Sequence, residues 1–513
     1  RQNSIVPWDR EDNRHVLQDG RTFIVGLSDD AGGGNHLGFA SKVWHMPTTA
    51  EFAKIDTYIN STLLGKSKTC GGECADPYFS LQNPETYKIL MTIFYHHYDS
   101  DSKVAQQHVY NKEPYYTDLD KCIIGPSWCS FNAFADGKST ASWTPADYRQ
   151  YNYPHQIASY YAMYLAIRNY NFQGSMGDWD FYLRATFKSM QAMSCYNNTT
   201  NTSACVPSVG LMDGTVFREA LIAMKNEPTF SKEAALIEDY MRQRAVTGIG
   251  GNVGWQDEDA PYGSEFNWDT TGQEEVAIWG AYFNATSSNR APYQYGELNK
   301  RAVDAILAYD PWSATWAYHG SAAGWGDFSN NAKWMIEGGW EREGGHYRAG
   351  LNSIPLIERF RAYPDDVYLL EVAMGGMTGI LSNIDQDGAA SMAYHCYPFI
   401  QEHDPYSGDF GLAFFGSALN IGSYVVETDT FGLLCYLCDL QPNSHATDLK
   451  ITSSRDYTIT PQDPYHARLY IASLGLHVFV EVGTFSSANI DMDAMTLTLT
   501  FDQVSSDNKF TKR

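Results

Sequence analysis

The chain predicts an α+β protein: a large helical body of the (α/α) toroid kind, followed by a smaller antiparallel β domain. Three observations predict it. Amphipathic helical periodicity dominates from about residue 49 to 382. After about residue 410 it gives way to short runs of β character separated by turn residues. The links between helical runs are long and rich in Trp, Gly, Asp and Asn, whereas compact bundles use short ones. Helices first and strands second is an α+β order, not βαβ alternation. Residues 1–48 are expected to be an irregular segment packed on the toroid, 49–405 the toroid, and 406–513 the β domain.

The elements follow in chain order. Residues 1–48 are Gly- and Asp-rich, with Asp29-Asp30-Ala31-Gly32-Gly33-Gly34 as a loop. That Gly run lacks the spacing of a phosphate-cradling loop, and its acidic neighbours would repel phosphate. Thr48-Thr49-Ala50-Glu51 opens the first helix with a capping box. Further helices are predicted near 84–98, 146–170, 178–194, 213–225, 230–246, 270–284, 294–309 and 365–382. Strands are predicted at Leu412–Phe415, Ser423–Val426, Phe431–Leu437, Leu449–Thr452, Ala467–Ala472, Leu476–Val482 and Met495–Phe501.

Composition narrows the function classes. The net charge is −24, from 36 Lys and Arg against 60 Asp and Glu, so the basic footprint of a nucleic-acid binder is missing. No apolar run approaches the ~18 residues that span a bilayer, so no integral membrane role is expected. Aromatics are abundant, with Tyr 35, Phe 25 and Trp 13. Either they line a surface on which sugars stack, or they form a Tyr-rich helical core.

Nine cysteines include four close pairs, Cys70/Cys74, Cys122/Cys129, Cys195/Cys205 and Cys435/Cys438, with Cys396 left over. Short-range pairs suit loop-closing disulfides in an oxidising compartment. Cys435-Tyr-Leu-Cys438 has the C-x-x-C form of a zinc site, but no second such pair or paired His stands near it. Sequons at Asn60, Asn197, Asn198, Asn201 and Asn284 agree with secretion, and three of them cluster between Cys195 and Cys205. The chain has no signal peptide at its head and ends on Lys512-Arg513, so a processed, mature secreted form is expected.

Four segments carry chemistry. The first runs from Trp255 through Asp257-Glu258-Asp259 to Trp268-Asp269-Thr270-Thr271-Gly272-Gln273-Glu274-Glu275. Acids among Trp side chains at a loop-to-helix junction suit glycoside hydrolysis, which needs two carboxyl groups and aromatic platforms. The same residues also read as an N-cap at Asp269 or Thr270, with Glu274 and Glu275 complementing the helix dipole. Adjacent Glu274 and Glu275 point to different helix sides, so at most one is expected to face a cleft. The second segment holds His319, Trp325 and Asp327. The third, Glu337 to Arg348, holds Trp340, His346, Tyr347 and Arg348 among paired glycines that argue for a shaped loop. His or Tyr as base and Arg as carboxylate partner would suit β-elimination from a uronate. The fourth, Ser382-Asn383-Ile384-Asp385-Gln386-Asp387-Gly388 to His395, starts like a calcium loop. Its twelfth position is Cys396, not Glu, so the EF-hand pattern fails and only an irregular Ca²⁺ site stays open. No other cofactor or metal is expected.

Trp268 to Glu275, Ser382 to His395, and Gly416 to Val426 followed by Phe431-Gly432 together resemble a family of secreted bacterial and fungal proteins defined as a domain of unknown function. The resemblance spans about Gly26 to Phe501. It implies an (α/α) toroid of the six-hairpin glycosidase type, commonly preceded by a β-sandwich that this chain starts too late to contain. That architecture serves inverting glycosidases and polysaccharide lyases alike.

Three functional readings follow. The first is a secreted glycoside hydrolase acting on a polysaccharide or oligosaccharide. Its candidate acids are Asp269, Glu274, Glu275, Asp385 and Asp387, and its sugar platforms Trp255, Trp268, Trp325 and Trp340, with His319 and Asp327 as further contacts. The second is a polysaccharide lyase using His346, Tyr347 or His395, with Arg348 or Asn383 gripping the uronate. The third is a non-catalytic glycan-binding protein.

Overall fold

The computed structural model describes residues 36–64, 82–89, 151–194, 210–245, 272–287, 295–308, 347–383, 410–443 and 455–502. It also describes Gly34 and the short strands Trp8–Asp9, Arg14–His15, Phe23–Val25, Phe94–His96, Ala135–Asp136, Glu343–Gly344, Tyr394–Cys396 and Gln401–His403. These residues form an α+β protein. The helices are α1 (His36–His45), α2 (Thr49–Thr57), α3 (Asn152–Tyr170), α4 (Trp179–Ser194), α5 (Gly214–Asn226), α6 (Ser231–Gln243), α7 (Gln273–Thr286), α8 (Tyr295–Ala308), α9 (Tyr347–Ala362), α10 (Val367–Gly379) and α11 (Phe410–Asn420).

Two kinds of helix alternate. In α3, fifteen side chains from Asn152 to Ile167 are buried, on every side of the helix. A helix buried all round belongs in the centre. By contrast α6 buries only Ala234, Ile237, Tyr240 and Met241, one stripe facing inward. Hairpins pack α3 on α4, α5 on α6, α7 on α8 and α9 on α10. The central helices also pack in series: α1 on α3, α3 on α5, α5 on α7, α7 on α9, α9 on α11, and α11 back on α1. Helix α11 touches α3 and α5 as well.

Side-chain contacts fix the directions. His36 and His45, the first and last residues of α1, meet Ser159 and Tyr170 of α3 in the same order. Tyr164 and Arg168 near the end of α3 both reach Glu227 at the end of α5. The first turns of α5 and α7 meet at Gly214 and Glu275. Gly38 faces Phe414, and Gly416 lies against Ile354, so α1, α11 and α9 advance together. These six central helices therefore run parallel, and their N-terminal ends gather at one end of the body.

The other end carries the strands β1 (Ser423–Thr428), β2 (Gly432–Tyr436), β3 (Cys438–Pro442), β4 (Asp456–Pro461), β5 (Arg468–Ile471), β6 (Leu476–Phe479), β7 (Phe485–Asp491) and β8 (Thr496–Phe501). They form two four-stranded sheets, in the orders β2-β1-β5-β6 and β3-β4-β7-β8. Every pairing in these two sheets is antiparallel except β1 with β5. Period-two alternation explains why β1 and β5 are buried on both faces. Val425, Leu469 and Ile471 join Ile459, Phe485, Ala488 and Ile490 in a core between the sheets. The intervening Tyr424, Val426 and Tyr470 join the helical core. Tyr470 Oη donates to Arg361 O at 2.9 Å, and Arg361 donates to Tyr424 Oη and Asn420 Oδ1.

Several expected elements hold. The capping box at Thr48 and Glu51 forms, and the helices predicted near 178–194, 213–225, 230–246, 270–284, 294–309 and 365–382 are present within a few residues. Others need correction. The stretch 36–45, expected to be irregular, is α1. Leu412–Phe415, expected to be a strand, lies inside α11, because a short apolar run does not distinguish the two states by itself. Gly411 and Gly416 let α11 press against Gly34 and Ile354 where a Cβ would collide. The helix expected at 84–98 is a turn closed by Gln82 and Ile89, followed by a strand at Phe94–His96. Asn83 Oδ1 accepts from Glu85 and Thr86 N–H, and Pro84 has no donor for a helix. Helix α9 and the strands β3, β4 and β7 were not expected. The run Leu449–Thr452 lies outside the described residues.

The aromatic excess is core in this part of the molecule. Tyr153, Tyr160, Tyr182, Tyr240, Tyr295, Tyr424 and Tyr470 are fully buried. Their hydroxyls take polar partners where they can, as in Tyr160 Oη to Gln82 Oε1 at 2.7 Å. Of the four expected disulfides, the one between Cys435 and Cys438 is formed, closing the corner from β2 into β3. Cys70 and Cys74, Cys122 and Cys129, and Cys195 and Cys205 lie outside the described residues, so those three pairings stay expectations from sequence. Cys396 is described only as a strand position. No helix among the described residues is long and apolar enough to cross a membrane.

Candidate functional site

At the gathered N-terminal ends, α5 and α7 bring three acids into the interior, and the end of α6 brings one arginine. Asp213, Glu274, Glu275 and Arg244 are each at most 1% exposed. Asp213 is the N-cap residue of α5, and its carbonyl accepts from Phe217 N–H at 2.9 Å. An Asp at this position ordinarily caps the helix with its own carboxylate. Here Glu274 of α7 takes that task from outside. It accepts from Gly214 N–H at 2.9 Å, from Thr215 N–H at 2.7 Å and from the Thr215 hydroxyl. The Gly214 and Thr215 amides are thereby satisfied, and the Asp213 carboxyl is left over. Neither of its oxygens has a hydrogen-bond partner among the described residues.

Glu275 holds the preceding residues. Its Oε2 accepts from Leu211 N–H at 3.0 Å and from Arg244 Nη2 at 2.9 Å, and its Oε1 accepts from Arg244 Nε. Arg244, just past the end of α6, thus forms a two-pronged, fully buried ion pair with Glu275. Beneath the acids, Phe217, Tyr240 and Trp279 pack with ring centroids 5.9–6.5 Å apart. Trp279 Nε1 donates to Gly214 O at 3.0 Å, tying the two helices again one turn lower.

The charges set the protonation states. Burial pushes the Asp213 carboxyl well above the ordinary carboxylate range, and neighbouring Glu275 and Glu274 push it further than Arg244 restores. Burial also raises Glu274, to about 7, against the opposing pull of its Thr215 and Gly214 hydrogen bonds. A neutral, donor-capable acid beside ionised groups is the arrangement found where proton transfer is performed. A second buried pair stands at the same end: His36 Nε2 lies 2.5 Å from Ser159 Oγ, and burial lowers His36 to about 3, so it is neutral.

Gly214 sits at the contact between α5 and α7. A Cβ there would lie 2.7 Å from Glu275 Cα and 2.8 Å from Glu274 Oε2. The first obstruction is backbone and cannot rotate away. Gly214→Ala is expected to cost about 1–3 kcal/mol of stability, read as a lower denaturation midpoint.

Of the residues expected from sequence, the structure brings together Glu274 and Glu275. Both are buried and both bind the 211–215 segment. The N-cap of α7 is Gly272, not Asp269 or Thr270. Asp213, Thr215 and Arg244 were missed. Asp213-Gly214-Thr215 opens an amphipathic run, so its Asp reads as an ordinary cap. Arg244 reads as a cation complementing a helix C-terminus. Tyr347 and Arg348 begin α9, and Asn383 ends the short helical turn after α10. His395 lies on a strand opposite Glu343, with Tyr394 opposite Gly344. That pairing brings the segment before α9 alongside the segment before α11. Asp269, Asp385, Asp387, His346, Trp255, Trp268, Trp325, Trp340, His319 and Asp327 lie outside the described residues. So do Asn197, Asn198 and Asn201, whereas Asn60 and Asn284 are half-buried on helical turns.

Residues 1–513 match the model of a family described as a family of unknown function (DUF5695), and the chain belongs to that family. No curated protein matches it significantly.

Proposed function

We propose that this member of the family is a secreted glycoside hydrolase acting on a polysaccharide or oligosaccharide through two carboxyl groups. The observation that carries the proposal is Asp213: buried, without a hydrogen-bond partner among the described residues, raised by burial well above the ordinary carboxylate range, and placed where α5 and α7 meet at their N-terminal ends. In this reading the closed series of helix packings is an (α/α) toroid of the six-hairpin type, with a cleft opening at the N-terminal ends. Asp213 protonates the leaving oxygen. Glu274 and Glu275 hold the 211–215 segment rather than react. The second carboxyl comes from Asp269, Asp385 or Asp387, which precede α7 and α11 in the chain. A separation of roughly 6.5–9.5 Å would make the enzyme inverting, because a water must fit between. Trp255, Trp268, Trp325 and Trp340 serve as sugar platforms. Disulfides and N-glycans suit an extracellular setting, and this chemistry needs no cofactor.

A second reading, polysaccharide lyase, has one specific support. The strand pairing of Glu343-Gly344 with Tyr394-His395 draws the segment of His346, Tyr347 and Arg348 toward that of His395. One incubation separates the two. The purified protein is mixed with neutral and uronate-containing glycans, and reducing ends and near-ultraviolet absorbance are followed together. Reducing ends without absorbance are expected. Absorbance rising in step with reducing ends is the lyase result, and binding without either signal is that of a lectin.

A further inference from the structure

At the far end of the body one buried cation lacks a counter-ion among the described residues. Arg468, the first residue of β5, is 6% exposed. Its guanidinium makes a single hydrogen bond to those residues, Nη1 to His477 Nε2 at 3.1 Å, and its Nε has no partner among them. No carboxylate among the described residues is paired with it. Other arginines are served: buried Arg244 has Glu275, and part-buried Arg218 has Glu358 and Glu219. A buried charge with neither an opposite charge nor a full set of hydrogen bonds is costly, so something is expected to complete it.

The surroundings are cationic or neutral on the near side. Burial and the charge of Arg361 at the end of α9 together lower Arg468 to about 10, against the opposing pull of Tyr424, Glu219 and Glu358. His45, the last residue of α1, is lowered to about 4 by burial and by Arg468. The His45 ring stacks parallel to Phe479 and meets Tyr465 edge-on. The Arg468 guanidinium lies 4.3 Å from the centre of the Phe479 ring, which faces it across the β5–β6 pair. β6 is the edge strand, and His477 and Phe479 are exposed there beside the buried Arg468 and His45.

We propose that a small oxyanion of carboxylate or phosphate type binds between α1 and β6, with Arg468 as its anchor and His477, His45 and Phe479 around it. The unused Nε–H and a neighbouring Nη–H form the fork that two oxygens of one anion satisfy together. Phe479, 45% exposed, adds apolar surface beside the anchor. A uronate carboxylate and inorganic phosphate share the required chemistry, and the test distinguishes them.

The test follows thermal unfolding of the full chain in sodium glucuronate and, separately, in sodium phosphate, each against sodium chloride at equal ionic strength. The wild-type Tm is expected to rise with the logarithm of at least one anion's concentration, as ligand linkage requires. Arg468→Met is expected to abolish that rise. It is also expected to keep or raise the Tm in chloride alone, since it removes an unpaired buried charge, whereas a purely structural arginine would lower it on replacement. Equilibrium dialysis of the wild-type protein with labelled phosphate or glucuronate gives a second readout that does not depend on the variant folding, with one anion per chain expected. A wild-type Tm that follows chloride in both anions, or a rise that persists in Arg468→Met, overturns the proposal. Neither measurement involves turnover, so failure here leaves the hydrolase reading untouched.

Discussion

Replacing Asp213 by Asn is expected to lower turnover by about two to four orders of magnitude, the usual contribution of a positioned proton donor. The fold is expected to survive. An Asn side chain has the size and shape of a protonated Asp, and the Asp213 carboxyl has no hydrogen bond to lose among the described residues. Stability against pH supplies the control. A carboxyl whose folded-state pKa is raised contributes fully below its unfolded value, about 3.9 for Asp. That contribution is lost as pH rises through the folded value. Asp213 is raised well above the ordinary range, and Glu274 is raised to about 7. The wild-type protein should therefore lose stability as pH climbs from about 4 through neutrality and beyond. Asp213→Asn should lose less, because only the Glu274 share remains. The same ionisation removes the proton donor, so wild-type activity should fall on the alkaline side. Full activity in a folded Asp213→Asn variant would make Asp213 a buried structural acid and end the hydrolase assignment.

The arrangement that makes Asp213 special was only half legible in the chain. Glu274 and Glu275 stood out because they crown a helix after a Trp-rich segment. Their partners lie about 60 residues earlier, at Leu211, Gly214 and Thr215, and 31 residues earlier at Arg244. Local periodicity has no access to such separations. A helix that borrows its cap from a neighbouring helix leaves no sequence signature, because Asp213 occupies the ordinary cap position and only the fold shows that it does not cap. The same limit explains the misread helices. Outer helices such as α4, α6 and α8 carry one apolar stripe and were found within a few residues. Helix α11 is apolar nearly throughout, so it shows little helical alternation, and α9 carries Pro355 in its interior, which reads as a helix break. Their glycines, Gly350, Gly411 and Gly416, admit close neighbours but read as breaks in a helix. The β region was recognised through its alternating edges, whereas β7, with Phe485, Ala488 and Ile490 inward and Ser486, Ser487 and Asn489 between them, reads as a polar loop.

Parallel packing also gives the site its electrostatic setting. Each helix N-terminus carries roughly half a positive charge, and the ends of α5 and α7 meet where Asp213, Glu274 and Glu275 are buried. That field favours ionised carboxylates and lowers the cost of holding Glu274 and Glu275 together in the interior. It does not rescue all three, because the first-turn amides of α5 are already bonded to Glu274. With Arg244 paired to Glu275, the third acid has too little compensation and keeps its proton. The site is thus poised by a count of donors: the described residues donate to Glu274 and to Glu275, and none donates to Asp213.

Removing Arg244 tests that count directly. Arg244→Met leaves the Glu275 carboxylate buried beside Asp213 and Glu274, with Leu211 N–H as its remaining donor among the described residues. Breaking a buried ion pair by deleting one partner costs about 3–5 kcal/mol, because the survivor is an uncompensated buried charge. The denaturant midpoint should fall accordingly, and activity should fall with it, since Glu275 holds the backbone leading to Asp213. Pairing Arg244→Met with Glu275→Leu removes both charges and keeps the volume largely filled. Such exchanges are often neutral or better in stability, so the double variant should regain most of the loss. It should not regain activity to the same degree, because Leu cannot accept the Leu211 amide and the 211–215 segment stays loosely held. A single variant as stable as wild type would mean that water reaches Glu275 and that the pair is not sealed. A double variant recovering stability and turnover together would show that the ion pair holds the fold and has no part in aligning Asp213.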